Sequence, residues 1–571
     1  MCFLGTEGLT DEALWWRIIR LLVIDTLNVL VRQDEINRMA GWSGLFTCRC
    51  RHGIIALWQA SDDLRRYALP AVQQIAHRAP RFLKDSFRHL MWYFTNTMQE
   101  ILRKINRQAE AMGRQVYVVG GALRDLLLGK EAPDLDLAID HDALGFGARL
   151  AVSCDARFVV LDDIEEVGRL IWHGHLLDLA VFKDHAATIE EDLRKRDFTI
   201  NAMAMTLPDW LRADGSGRIV DPCGGREDMR QKIIRLVYGE ALRDDPLRML
   251  RAFRLQARTG FRLADRFLEL ACRQRGLLRR SAPERISSEL HLIMESSRAS
   301  QVVGAMLESR ILAQVCPEIS SGAGVEQPAS HHLDVLGHNL AALAAMDEII
   351  SQPHHFFPEA APVLVAYLQS SRHQRWLRWA ALFHDMAKPQ TRAIKKGRIT
   401  FYQHDTVGAR LFREMANRLR FAKIDRERIA LFIGQHMRPF HLCNVMRKGP
   451  VSARACLRLA KTIGDDLPGL FLLAMADSLA GKGEARPPNM ESELAELFGQ
   501  VHRQMVENIA PLLLAPPLLN GDDLIAAGLR PGPLFRTILD DLQQAQVSGE
   551  VTDRDAALAW LAVYKERLAI S

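Results

Sequence analysis

The chain lacks a cysteine framework. Nine cysteines are scattered over 571 residues, and Cys48 and Cys50 form the only close pair. Neither a disulfide scaffold nor a zinc-ligand spacing emerges, which points to a reducing, cytoplasmic setting. Long hydrophobic runs are also missing. Trp15–Val31 is apolar but carries Arg17, Arg20 and Asp25, so it is too short and too charged to span a bilayer. It does not read as a signal peptide either, because Thr10–Glu12 stand where a basic leader would be. An amphipathic helix with no membrane partner is the expectation, and Met91 or Met98 offers an alternative start nearer the readable part of the chain. Net charge is only +5, and there is no long basic tail. Lysine is absent from residues 241–300, which hold thirteen arginines against seven acids. An arginine-only excess suits phosphates and base edges better than mere solubility.

The most informative stretch is Val116–Asp140, VYVVGGALRDLLLGKEAPDLDLAID. A strand-like run, Val116–Val119, meets Gly120 and Gly121, and a helix-like run follows with Arg124 and Asp125 near its start. Glycines before a helix let backbone N–H groups approach a phosphate. Asp134 and Asp136 then alternate with Leu135 and Leu137, which puts both acids on one strand face. Two adjacent carboxylates repel unless a divalent cation lies between them. These parts together describe a site for Mg²⁺ and a nucleoside triphosphate.

Helix and strand patterns alternate over 101–210. Strands are expected at Asp134–Ile139, Arg157–Leu161, Val167–Trp172 and His175–Phe182, with helices at Arg103–Met112, Ala122–Leu128 and Ala143–Val152. That predicts a small mixed sheet covered by helices. Asp178 alternates with apolar neighbours and is either a third carboxylate for the metal or a simple strand acid; spacing leaves both open. Further on, the spacing predicts a helix over Leu242–Arg258 with Pro246 in its first turn. Asp245, Arg248, Arg251 and Arg254 recur every three residues and share a face, with Met249, Leu250 and Phe253 on the other.

After Ser320–Ser330, rich in glycine and serine, histidines cluster among apolar helical patterns: His338, the adjacent pair His384-Asp385, His404 and His436, with Asp477 beyond. Neutral imidazoles and carboxylates together suit a divalent transition metal.

The ordered set of strand, Gly-Gly, Arg-Asp, helix and Asp-x-Asp resembles the signature of the class II tRNA nucleotidyltransferase and bacterial poly(A) polymerase family. DLRKRDFTINAMAM, Asp192–Met205, is similar to that family's second motif, with Lys195 where an arginine is common. LRDDPLRMLRAFRLQAR, Leu242–Arg258, resembles its fourth, with Asp244 in place of a glutamate. The histidine region looks like an HD metal-dependent phosphohydrolase domain.

The resemblance implies an α+β, mostly α fold: a polymerase-β-like head with a small mixed sheet, then all-helical neck, HD and tail regions. Domain boundaries are expected at 1–100 (an extension of unassigned role), 101–210 (head), 211–319 (neck), 331–490 (HD) and 491–571 (tail). It implies that Asp134 and Asp136, joined by Asp178 if that acid is catalytic, hold Mg²⁺. Gly120, Gly121, Arg124, Arg196, Asp197, Asn201 and Arg254 would surround the nucleotide, and Asp197 is a candidate for the ribose 2′-OH. Asp245 and Arg248 would read the base edges of CTP and ATP, and Arg251 would meet phosphates. His338, His384, Asp385 and Asp477 would be core HD ligands for Ni²⁺, Mn²⁺ or Fe²⁺. His404 and His436 would serve a second metal or a phosphate. The implied activity is template-independent addition of C and A to the tRNA 3′ end, with HD phosphohydrolysis beside it. Alternatives are an A-adding or CC-adding enzyme, a poly(A) polymerase, or an HD hydrolase or RNA-binding protein with an inactive head. Monomer and homodimer both stay open.

Overall fold

The computed structural model describes residues 98–130, 135–212 and 217–570. The expected N-terminal amphipathic helix, Cys48, Cys50 and Met91 lie outside them, as does Asp134. The described chain groups into two compact units. One runs to Leu193 and takes in Met203–Asp221; the other comprises Arg194–Ala202 and everything from Pro222 onward. No helix among the described residues is long and apolar enough to cross a membrane.

The first unit is a seven-stranded mixed sheet with helices against it. Its elements are β1 (Val116–Val119), α1 (Gly121–Leu127), β2 (Leu135–Ile139), α2 (Ala143–Cys154), β3 (Arg157–Asp162), β4 (Val167–Trp172), β5 (His175–Val181), β6 (Ala204–Thr206) and β7 (Ile219–Val220). The spatial order is β3-β4-β5-β2-β1-β6-β7. β2 pairs parallel with β5 and antiparallel with β1. β-branched and apolar residues favour these strands, and their inward positions supply the core. Leu135, Leu137, Leu177 and Leu179 pack with Val118, Phe146, Leu150 and Ile105. Leu135 and Leu137 are therefore committed to one face of β2, and Asp136 between them takes the other. One close approach fixes α2 on the sheet. A Cβ on Gly147 would stand 2.3 Å from the Phe158 ring, and one on Gly168 would stand 2.1 Å from the same ring.

The second unit is helical. The helices that position functional groups are α3 (Arg248–Thr259), α4 (Pro283–Met294), α5 (Val335–Ser351) and α6 (Ser371–Phe383). After them come the hairpin β8 (Ala393–Lys395) and β9 (Arg398–Thr400), then α7 (His404–Arg418), α8 (Lys423–Gln435) and α9 (Leu467–Ala480). α9 reads LPGLFLLAMADSLA and is buried on nearly every side, as an all-apolar helix must be. It packs against α5, α6 and α8. The C-terminal helices carry a small core of their own, including Leu524, Ile538, Leu542 and Leu561.

One element differs from the sequence expectation. The predicted helix over Leu242–Arg258 is two helices, Ala241–Asp244 and α3, with a break at Asp245–Leu247. The cause is Pro246. Its ring disfavours helical backbone at the preceding residue, and Asp245 is extended (φ −136°, ψ 98°). Pro246 therefore precedes the long helix instead of opening it, and Asp245 does not share a helical face with Arg248, Arg251 and Arg254.

Candidate functional site

In the first unit, β1 ends at Val119, directly opposite Asp136 in the β1–β2 ladder. The next residue, Gly120, adopts φ 70° and ψ −131°, a conformation that glycine alone takes without strain. The Gly120–Gly121 turn thus leaves the sheet beside Asp136. Arg124 is buried in α1 and donates through Nε and Nη2 to Asp125 Oδ1, at 3.1 and 3.0 Å. Asp136 is exposed, and its register partner on parallel β5 is Asp178. Register partners on parallel strands point to the same face, so both carboxylates stand on the side of the sheet away from the leucine core. Asp178 is clasped by Arg169, whose Nε and Nη2 donate to its two oxygens at 2.7 and 2.8 Å. Arg169 escaped the sequence reading; the strand period of Val167–Trp172 places it, but only the β4–β5 register reveals its partner. Carboxylate oxygens on an exposed face fit a hard cation such as Mg²⁺.

In the second unit, Asp197, Asn201 and Arg251 come together. Arg251 Nε and Nη2 donate to Asp197 Oδ2 at 2.9 and 2.6 Å. Asn201 Nδ2 and the Phe198 amide donate to Asp197 Oδ1 at 3.1 and 2.8 Å. Burial by itself would raise the Asp197 carboxyl, but the Arg251 guanidinium and these donors hold it down at about 2. Arg196 precedes this cluster and is half-buried. Arg254 pairs with buried Glu289 at 3.2 Å, which anchors α3 on α4. Arg248 is buried; its Nη1 donates to the Tyr238 hydroxyl at 2.9 Å and its Nη2 to the Lys195 carbonyl at 3.4 Å. Asp245 Oδ1 accepts from the Leu247 amide at 3.1 Å, and its Oδ2 accepts from Arg285 at 3.0 Å. Each member of the expected base-reading pair therefore has a partner within the chain.

The histidine cluster is the most developed site. His338 comes from α5, His384 and Asp385 from the end of α6, His404 from the first turn of α7, His436 from the end of α8 and Asp477 from α9. His338, His384, Asp385, His436 and Asp477 are all buried. His338 Nε2 lies 3.2 Å from His384 Nε2, 3.0 Å from Asp477 Oδ1 and 3.5 Å from Asp385 Oδ2. The other Asp385 oxygen, Oδ1, faces His404 Nε2 at 3.3 Å and His436 Nε2 at 3.8 Å. Two ligand groups, His338-His384-Asp385 and Asp385-His404-His436, thus share Asp385.

Three of the imidazoles are oriented from behind. Nδ1 of His384, His404 and His436 lies 2.9, 2.7 and 2.6 Å from the carbonyls of Ala381, Phe401 and Ile433. Those contacts fix a proton on each Nδ1 and aim Nε2 toward the centre, the orientation that metal-ligating histidines have. Both Asp385 oxygens are buried, facing histidine nitrogens and the Lys388 ammonium. Burial disfavours a charged His384, yet the Asp385 and Asp477 carboxylates outweigh it and lift the ring to about 10. Both carboxyls are held well below their ordinary range. A cage that draws a proton in this way is one that a divalent cation fits.

Lys388, which the sequence reading passed over, reaches Asp385 Oδ2 at 2.5 Å and Gln327 Oε1 at 2.7 Å. Its signal was present in HDMAKP, where it falls three residues, about one turn, after Asp385.

Three family models match the chain. Residues 116–235 match the poly A polymerase head domain, 260–322 the probable RNA and SrmB-binding site of polymerase A, and 360–480 the HD domain. The chain is 32% identical to the A-adding tRNA nucleotidyltransferase of Deinococcus radiodurans, over 79% of this chain and 95% of that one. It is 31% identical to the CC-adding tRNA nucleotidyltransferase of Thermus thermophilus, over 79% and 94%. Among solved structures, a CCA-adding enzyme in complex with ATP superposes with a TM-score of 0.54 at 20% identity, covering 82% of this chain and 94% of that one.

Proposed function

The chain belongs to the tRNA nucleotidyltransferase family, and we propose that it builds or repairs the CCA end of tRNA from CTP and ATP. In the transfer the RNA 3′-oxygen bonds to the α-phosphorus, the bond to the β-phosphate oxygen breaks, and pyrophosphate departs. The observation that carries this reading is the exposed Asp136 carboxylate beside the Gly120 turn, on the sheet face opposite the core. Asp136 with Asp134 would hold Mg²⁺, which supplies charge stabilisation at the phosphates when bound. Asp178 is the register partner of Asp136, its charge balanced by Arg169. We assign nucleotide addition to the head and neck, 101–319. In the first unit Gly120 and Gly121 keep the backbone approachable for a triphosphate and Arg124 is a candidate to add positive charge; in the second unit Arg196 is a candidate for a phosphate. The Asp197–Arg251 pair, steadied by Asn201 and flanked by Arg254, presents a carboxylate toward the ribose and a guanidinium toward phosphate. Asp245 can accept from the exocyclic amine shared by cytosine and adenine, and Arg248 can donate to their ring acceptors. Uracil and guanine lack that amine pattern.

We assign a second activity, hydrolysis of a phosphate ester at damaged RNA ends, to the His-Asp centre in 331–490. His338, His384, Asp385 and Asp477 would hold one divalent transition metal, and Asp385, His404 and His436 another; such an ion lowers the pKa of bound water. Lys388 balances charge on Asp385.

The test is incubation of tRNA lacking its 3′ CCA with each labelled nucleoside triphosphate in turn. Incorporation of C and then A supports the reading. The names of the Deinococcus and Thermus relatives favour a second reading, a partial enzyme; A alone or C alone would select it. Long A tracts would mean a poly(A) polymerase.

A further inference from the structure

Between the ligand-bearing end of α6 and His404 the chain makes an excursion that the metal centre does not require. Met386–His404 contains five lysines and arginines and no aspartate or glutamate. Its middle is the β8–β9 hairpin. Lys396 (φ 50°) and Gly397 (φ 73°) form a two-residue turn with both residues left-handed, the tight connection that suits strand twist. Lys395, Lys396 and Arg398 are exposed, and none is ion-paired among the described residues. Lys395 and Arg398 are direct cross-strand partners. Like charges placed opposite one another destabilise a hairpin unless an anion lies between them.

Two apolar groups share this exposure: Ile394 and Tyr402 are each 65% exposed. Lys395 Nζ stands 4.6 Å from the centre of the Tyr402 ring. Phe401, the preceding residue, is turned the other way. It is buried, with Lys388 Nζ 5.5 Å from its ring centre, and its carbonyl lies 2.7 Å from His404 Nδ1. The hairpin is thus joined to the His-Asp centre: Phe401 faces Lys388 and its carbonyl meets His404, and Tyr402, one residue on, is exposed. A cationic track with an exposed ring beside it is the arrangement that holds single-stranded nucleic acid, phosphates on the cations and bases on the ring.

We propose that the β8–β9 hairpin and Tyr402 form a clamp for the single-stranded 3′ end of RNA, so that the His-Asp centre acts on phosphate-ended oligoribonucleotides in preference to free mononucleotides. This rests on the hydrolase reading above. In the reaction a water oxygen bonds to the terminal phosphorus, the bond from phosphorus to the RNA 3′-oxygen breaks, that oxygen takes up a proton, and inorganic phosphate leaves. The hairpin takes no part in those bonds; it raises the local concentration of the RNA end.

The test uses the full chain loaded with Mn²⁺, with p-nitrophenyl phosphate and a 3′-phosphorylated ten-nucleotide oligouridylate as substrates. Tyr402→Ala should raise KM for the oligonucleotide about tenfold, with kcat and p-nitrophenyl phosphate turnover unchanged. Tyr402→Phe should restore it. Combined Lys395→Ala, Lys396→Ala and Arg398→Ala should lower the slope of log affinity against log salt by about two. An independent readout needs no metal: an oligouridylate ending in 4-thiouridine should photo-crosslink to the hairpin peptide, and Tyr402→Ala should abolish the adduct. Unaltered melting midpoints would show that the variants fold. Equal KM in wild type, Tyr402→Ala and the triple variant, with crosslinks elsewhere, would overturn the clamp and leave a centre for small phosphoesters. If wild type hydrolyses neither substrate, the hydrolase reading falls, and the crosslink alone decides the clamp.

Discussion

Asp385 is the residue on which the second site turns. Its oxygens face two different histidine sets, and one of them also meets the Lys388 ammonium. Replacing it with alanine should lower bound metal, measured by mass spectrometry of the purified protein, and cut phosphoester hydrolysis more than about 100-fold. Dialysis against a chelator should do the same to wild type, and added Mn²⁺ or Ni²⁺ should reverse it. A second residue-scale prediction concerns His291, on α4 against Trp379 of α6. Burial, aided by Arg375, pushes it down to about 4, and Trp379 Nε1 donates to its Nδ1 at 3.2 Å, a bond that only the unprotonated nitrogen accepts. Its pKa is lower folded than unfolded, so the unfolded chain binds more protons between about 6.5 and 4. Stability should therefore fall as pH drops through that window. Denaturant melts of wild type and His291→Asn should converge as pH falls from 7 to 4, with a closing gap of about 3 kcal/mol at most.

At the scale of elements, glycine placement makes a prediction opposite in sign to helix propensity. Alanine for a mid-helix glycine ordinarily stabilises by about 1 kcal/mol. At Gly147 the added methyl would meet Phe158, whose ring is already confined by Gly168. Gly147→Ala should destabilise by about 1–3 kcal/mol, read as a lower melting midpoint. Elements also show where the sequence was legible. β1 to β5 were readable to within a residue or two, because period-two alternation with β-branched residues is a strong local signal. β6 was not, since Ala204–Thr206 has only three residues and owes its extended form to pairing with β1. The helix through Asp245 was overread, because the arginine spacing outweighed the constraint that Pro246 puts on its neighbour. The histidines were found singly from their helical surroundings, and their convergence belongs to the packing of α5, α6, α8 and α9. The partners that now hold Asp178, Asp245 and Arg248, namely Arg169, Arg285 and Tyr238, depend on long-range register and had no local signature.

At the scale of the molecule, two phosphoryl chemistries are proposed on different elements of one chain. On the proposed reading, oxygen donors on a sheet face serve nucleotide addition, and a buried nitrogen-oxygen cage serves hydrolysis. Because the ligand sets share no residue, each activity should be removable by itself. The most direct measurement is a pair of assays on Asp136→Ala: labelled C and A incorporation into tRNA lacking CCA, and release of p-nitrophenol from p-nitrophenyl phosphate. The account predicts that incorporation disappears while hydrolysis continues at the wild-type rate. Undiminished incorporation by Asp136→Ala would contradict it.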